Sequence, residues 1–227
     1  MDTGERAYEK IINYVEQQVM QGRYKKGDKL PPERELAALL GASRNSVREG
    51  LGILERMGAI SSQQGAGNFI SDNFEKTLVE VMTLMFILEE GTFREISEFR
   101  YALEMQALSL AMKNITEEQQ TDIEYYMSML EQTPGEEQKA YYDKKIHYTI
   151  TAASGNRFII DNLQALTEVM DVFIKDMRAK ILSDGSNSEG LMSAHRQMVE
   201  ALREKDESKG LKALKAHFEY IYAYIDG

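Results

Sequence analysis

The chain has 227 residues, no cysteine, and 27 Lys and Arg against 37 Asp and Glu, for a formal net charge of −10. That length allows one large domain or two modest ones, and the lack of cysteine excludes a disulfide framework or thiolate metal site and suits a reducing cytoplasm. No apolar run approaches the roughly 20 residues of a membrane span, and Met1-Asp-Thr-Gly-Glu-Arg6 lacks a signal peptide's apolar region, so a soluble cytoplasmic protein with no membrane partner is expected.

Charge is unevenly placed. Residues 1–70 hold ten basic and nine acidic side chains, net +1, whereas residues 71–227 hold seventeen and twenty-eight, net −11. Within 23–48 the count is seven basic to three acidic, a local +4. This suits a modest phosphate footprint rather than general polyanion binding.

Residues 6–22 place Tyr8, Ile11, Ile12, Val15 and Val19 on one helical face and end at Gly22. Leu30-Pro-Pro-Glu-Arg-Glu-Leu-Ala37 then opens a second helix: Pro31 and Pro32 set extended and first-turn geometry, Glu33 and Glu35 suit the positive helix end, and Leu36, Leu39 and Leu40 form its stripe. Gly41 stops it. Ser43 caps a third helix carrying Arg44, Asn45, Ser46 and Arg48 in its first two turns, over an apolar stripe of Val47, Leu51 and Leu54. Short polar and guanidinium side chains there are what a major-groove reader presents to double-stranded DNA. Residues 59–70, with Gly65 and Gly67 between two short apolar runs, predict a hairpin wing. The expected domains are a winged helix-turn-helix over 1–72, with Ser71-Asp-Asn73 as a tight junction, and an all-helical domain over 73–227.

Helices are predicted near 74–89, 93–114, 117–132, 134–153, 157–181, 187–204 and 207–225, with no strand beyond the wing. Thr92-Phe-Arg-Glu95, Thr116-Glu-Glu-Gln119 and Thr133-Pro-Gly-Glu136 match the reciprocal capping box. Ser154-Gly-Asn156 reads as a stop followed by a cap, and 183–188 as a loop. The fold class is therefore mainly α.

All three histidines lie in the second part. His147 follows Asp143 by four residues, so both project from one face; His195 and His217 sit on later helices beside apolar neighbours. Converging in a bundle, these four side chains would bind a divalent transition metal; taken singly, a histidine on an apolar face is more often a satisfied core residue. Arg100 lies beside an apolar stripe of Ile96, Phe99, Leu103 and Ala107, and its partner is either Glu104, one turn on, or a bound organic acid.

Leu30-Pro-Pro-Glu-Arg-Glu-Leu-Ala37, Ser43-Arg-Asn-Ser-Val-Arg-Glu49 and Gly65-Ala-Gly-Asn-Phe-Ile70 resemble the GntR family of bacterial transcription regulators. Glu98-Phe-Arg-Tyr-Ala-Leu-Glu104, Asp143-Lys-Lys-Ile-His147, Ser154-Gly-Asn156, His195 and His217 resemble the metal-containing FCD ligand domain of its FadR subfamily. The resemblance implies DNA contacts from Arg34, Ser43, Arg44, Ser46 and Arg48, beside Asn45, and from Gln64 and Gly65 at the wing tip. It implies Asp143, His147, His195 and His217 as metal ligands, and Arg100 in an effector pocket. It further implies a homodimer on a short inverted repeat, with a small carboxylic acid over the metal altering DNA binding. Gly50, Gly52 and Asn68 depart from the family's usual residues, and the two glycines are expected to soften the reader helix.

The expected function is a DNA-binding transcriptional regulator, a repressor, and no enzyme. The runs Ser43-Arg-Asn-Ser46 and Arg100-Tyr-Ala-Leu-Glu104 resemble lactate-responsive members, which points to lactate or a related 2-hydroxy or 2-oxo acid. Zinc is the foremost metal, with nickel, manganese and iron compatible with the same ligands. The competing readings are a sensor of the metal ion itself and a metal-dependent hydrolase or lyase.

Overall fold

The computed structural model describes residues 6–71, 74–183 and 188–225, with the side chains of 136, 172–183 and 188 left aside. The chain divides into two compact units, Met1–Leu78 and Val79–Gly227. The first holds helices α1 (Ala7–Met20), α2 (Glu33–Leu40) and α3 (Arg44–Arg56), followed by strands β1 (Ile60–Gln63) and β2 (Gly67–Ile70). α2 and α3 are joined by Gly41, whose φ of 60° is the left-handed conformation that glycine adopts without a Cβ clash. Ser43 then caps α3, its Oγ accepting from the Ser46 amide at 3.1 Å. Val47, Leu51 and Leu54 meet Ile11, Val15 and Leu36 in one core.

Several details differ from the expectation. α2 begins at Glu33 with Pro32 as its N-cap, so neither proline lies within the helix. Leu39 is 59% exposed, leaving Leu36 as the buried anchor of this short helix. Gly50 is a contact point rather than a soft spot: a Cβ there would lie 2.8 Å from Ile11 Cβ and 2.9 Å from the Tyr8 carbonyl oxygen. Its missing side chain lets α1 cross α3 closely.

The wing is an antiparallel pair in register from Ile60 opposite Ile70 to Gln63 opposite Gly67. Asn68 earns its place across the ladder, accepting from the Ser62 hydroxyl at 2.7 Å. A further pairing went unpredicted. Lys29 bridges Phe69, the Leu30 amide donates to the Asn68 carbonyl at 2.8 Å, and the Ile70 amide donates to the Asp28 carbonyl at 2.8 Å. The segment before α2 is thus stitched to the wing. Asp72 and Asn73 of the expected junction lie outside the described residues.

The remaining elements are α4 (Glu75–Leu88), α5 (Phe93–Asn114), α6 (Glu117–Gln132), α7 (Glu136–Ala153), α8 (Arg157–Ser183), α9 (Ser188–Glu204) and α10 (Glu207–Ile225). Thr92 and Thr116 form the predicted capping boxes of α5 and α6. The third does not form. Thr133 closes α6 as its C-cap, while Gly135 is the N-cap of α7 and offers no side-chain bond. Asn156 caps α8 as expected, its Oδ1 accepting from the Phe158 and Ile159 amides. Of the expected loop, 184–187 lie outside the described residues.

α5 lies at the centre of this bundle, packed against α7, α8 and α10. Its buried face is wider than its apolar pattern predicts: Ile96, Leu103 and Ala107 pack into a core as expected, Ser97, Arg100 and Glu104 are buried beside them, and Phe99 is 46% exposed. Half of α5 therefore turns polar groups inward. Burial of that kind requires partners: Arg100 and Glu104 pair with one another, and His147 of α7 and the Phe218 ring of α10 complete their surroundings.

Candidate functional site

α7 contributes Asp143 and His147 from one face, α9 contributes His195 and α10 contributes His217, all buried. One ligand atom from each lies within 4.8 Å of the other three. The His195 Nε2 to Asp143 Oδ1 distance is 2.9 Å, His147 Nε2 to His195 Nε2 3.2 Å, and His147 Nε2 to Asp143 Oδ1 3.9 Å. Donors bound to one ion at about 2.0–2.2 Å stand about 3–4 Å apart, so the set is already near ligating geometry. Three imidazoles and one carboxylate suit a borderline divalent cation such as zinc, nickel, manganese or iron.

The second nitrogens fix how these rings face. His195 Nδ1 lies 3.0 Å from the Leu191 carbonyl oxygen, which only accepts, so Nδ1 is the donor and Nε2 points at the cluster. His147 Nδ1 lies 2.8 Å from Glu104 Oε2. Burial pushes the Glu104 carboxyl up, but the charges of Arg100 and then His147, with hydrogen bonds from both, outweigh it and draw it down to about 2. Glu104 is an ionised acceptor, so His147 Nδ1 also donates. In neutral rings this leaves the two facing Nε2 atoms as lone-pair donors to a metal.

Glu104 is the functional residue that sequence reasoning undervalued. Its other oxygen, Oε1, accepts from Arg100 Nε, and the guanidinium lies over the Phe218 ring at 5.5 Å from the centroid. Of the two partners expected for Arg100, the internal one is therefore in place. Arg100 and Glu104 line a cavity with Lys144, His147, Tyr148 and Thr151, and its volume of about 10 Å³ is room for a single water. Lys144 is itself paired with Asp171.

In the first unit Arg34, Ser43, Arg44, Asn45 and Arg48 are exposed along α2 and the start of α3, and Ser46 is half-buried. Gln64 and Gly65 are exposed at the hairpin tip. The hydroxyls of Ser43 and Ser46 lie 2.9 Å apart, and Arg48 Nε donates to Glu33 Oε2 at 2.7 Å. The reader's surface is preformed, with one of its arginines tethered.

A winged helix-turn-helix on the same chain as an all-helical body that carries a buried His/Asp cluster points to a class: a two-domain transcription regulator. Residues 7–70 match the model of the bacterial regulatory proteins of the gntR family, and residues 95–220 match that of the FCD domain. The chain belongs to the GntR family of bacterial regulatory proteins, as a member that carries an FCD domain. A protein of Escherichia coli (strain K12) named for the L-lactate dehydrogenase operon is 28% identical over 201 residues, 86% of this chain and 77% of that protein. The Exu regulon transcriptional regulator of Escherichia coli (strain K12) is 27% identical over 222 residues, 94% of this chain and 82% of that one. Streptococcus agalactiae GntR shares the fold with a TM-score of 0.68 at 23% identity, covering 95% of this chain and 99% of its own. These relatives are transcription regulators and not enzymes, which removes the hydrolase or lyase reading. Among the described residues no helix is long and apolar enough to cross a membrane.

Proposed function

We propose that the protein is a cytoplasmic, homodimeric repressor whose hold on a short inverted-repeat operator changes when a small carboxylic acid binds at a divalent metal. Residues 1–72 serve as the DNA reader and 73–227 as the sensing and dimerising part. Asp143, His147, His195 and His217 hold the ion, with zinc foremost. The observation that carries this reading is the pair of imidazole nitrogens 3.2 Å apart whose second nitrogens are both committed as donors. Those two nitrogens, with Asp143 2.9 Å from one of them, are spaced to ligate a cation held among them once both rings are neutral.

Arg34, Ser43, Arg44, Asn45, Ser46 and Arg48 are assigned to the major groove and its phosphates, and Gln64 and Gly65 to the minor groove. A second copy of the chain is favoured by α4, on which Val81, Leu84, Met85, Ile87 and Leu88 are each more than half exposed. The acid is assigned to Arg100 and the metal. The relative named for the L-lactate dehydrogenase operon favours lactate or a related 2-hydroxy or 2-oxo acid. Acid binding repacks the helical domain and shifts the spacing of two reader helices that address half-sites about 34 Å apart.

The cavity favours one competing reading. Room for a single water beside Arg100 admits no carboxylic acid until the Arg100–Glu104 pair opens, whereas a sensor of the ion alone needs no such room. A thermal-shift screen of C2 to C6 carboxylic acids, with and without chelator, separates the two. Stabilisation by an acid that vanishes on chelation supports the platform; stabilisation by metal and by no acid supports the ion sensor. Equal acid stabilisation of the chelated protein overturns both.

A further inference from the structure

Glu104 stands between two groups that the proposed function uses separately. One carboxylate oxygen, Oε2, faces His147 Nδ1 at 2.8 Å and the other, Oε1, takes Arg100 Nε. The residue is about 5% exposed, so water offers neither oxygen much alternative company. Its negative charge is shared between an imidazole that faces the metal cluster and a guanidinium that faces the cavity.

We propose that Glu104 is a positioning residue that couples acid binding to metal binding: it sets the ring of His147 toward the ion and is relieved of Arg100 by the incoming acid. This inference rests on the metal-platform reading. A carboxylate that hydrogen-bonds the far nitrogen of a ligating histidine fixes its tautomer and raises its basicity, and loss of such a partner weakens metal binding by about 10–100-fold. Arg100 draws charge away from that task. When a small carboxylate takes the guanidinium, Glu104 is left to His147 alone, and His147 becomes the stronger ligand. Acid and metal then bind with positive coupling, which linkage makes reciprocal. The tight cavity fits this exchange, because the acid's seat on Arg100 is held by an internal carboxylate of the same chemistry.

The test is zinc affinity, measured by competition with a chromophoric chelator on the full-length chain, for the native protein, Glu104→Gln, Arg100→Gln and the double variant. Helical circular dichroism establishes that each is folded. Glu104→Gln is expected to bind zinc about 10–100-fold more weakly. Arg100→Gln, which mimics the guanidinium being taken, is expected to bind it several-fold more tightly. The double variant should match Glu104→Gln, since Arg100 acts only through Glu104. It also removes both buried charges together, which keeps the comparison available where a single change unfolds the chain. A purely structural ion pair would make both single variants weaken zinc alike, and that result overturns the inference. So does a folded Glu104→Gln, alone or in the double variant, that binds within twofold of the native protein. A native chain that does not bind zinc overturns the platform reading itself, and is distinguished by the wild-type measurement.

Discussion

Arg48 Nε donates to Glu33 Oε2 at 2.7 Å, tying the second turn of α3 to the first residue of α2 across the helix-turn-helix. The arginine is 63% exposed and the acid 35%, so the pair contributes at most ~1 kcal/mol to stability. If Arg48 meets DNA as proposed, it exchanges a carboxylate for a phosphate or base edge, and Glu33 then stands near phosphates.

Glu33→Gln is therefore expected to raise operator affinity by up to about fivefold and to steepen the salt dependence by about one counterion, while Arg48→Ala lowers affinity. Fluorescence anisotropy across a salt series measures both. Weaker binding by Glu33→Gln would instead make Glu33 a guide for Arg48.

Removal of His195 should be the most damaging single change at the cluster. Its ring is 1% exposed and contacts Asp143, His147 and His217 at once. His195→Ala is expected to weaken zinc by more than the about 100-fold upper bound for an outer partner, and to abolish acid-dependent thermal stabilisation. Metal content after dialysis and the melting curve with acid check it.

The two glycines of the reader helix should respond with opposite signs. Gly50→Ala gains up to ~1 kcal/mol of helix propensity but drives a Cβ to 2.8 Å from Ile11 Cβ and 2.9 Å from a backbone oxygen, neither of which can swing aside. Overpacking of that kind costs ~1–3 kcal/mol, so it should destabilise. Gly52→Ala meets only the Arg56 guanidinium, at 3.7 Å, and should stabilise by up to ~1 kcal/mol. Urea midpoints of the two variants decide the matter.

Acid should loosen the metal-free protein through Glu104. Its carboxyl falls from 4.5 to about 2 in the fold because Arg100 and His147 outweigh burial. A depressed carboxyl stabilises the native state above its unfolded value and loses that contribution as pH falls through the folded one. The contribution is complete at pH 6 and is lost as pH falls from about 4.5 toward about 2. The stability gap between native protein and Glu104→Gln, read from urea titrations with chelator present, should narrow over that window. A gap constant from pH 6 to 3 refutes it.

The helix limits were legible because they are written locally. Thr92 and Thr116 cap where the pattern places them, and every predicted helix lies within two residues of the observed one. Thr133 misled because the same residue suits the end of α6, where it is buried. Asp28 to Leu30 showed no alternation, being three residues bounded by glycine and proline, so its pairing with β2 depended on the wing already being there. On α5 the apolar pattern found only part of the buried surface: Ile96, Leu103 and Ala107 pack with Ile159, Leu163 and Leu166, but Phe99 is exposed and the polar Ser97, Arg100 and Glu104 are buried beside them. Asp143 and His147 were legible as an i, i+4 pair. That Glu104 meets His147, 43 residues along, follows only from how α5 packs on α7.

The stitching of Lys29 and Leu30 to β2 has a mechanical consequence. The strap that leads into α2 is hydrogen-bonded to the strand that carries the wing, so the tip cannot swing without hauling the helix-turn-helix along with it. Helix-turn-helix and wing are thus one hydrogen-bonded block, and on the proposed reading any change in grip on the operator would come from moving that block whole.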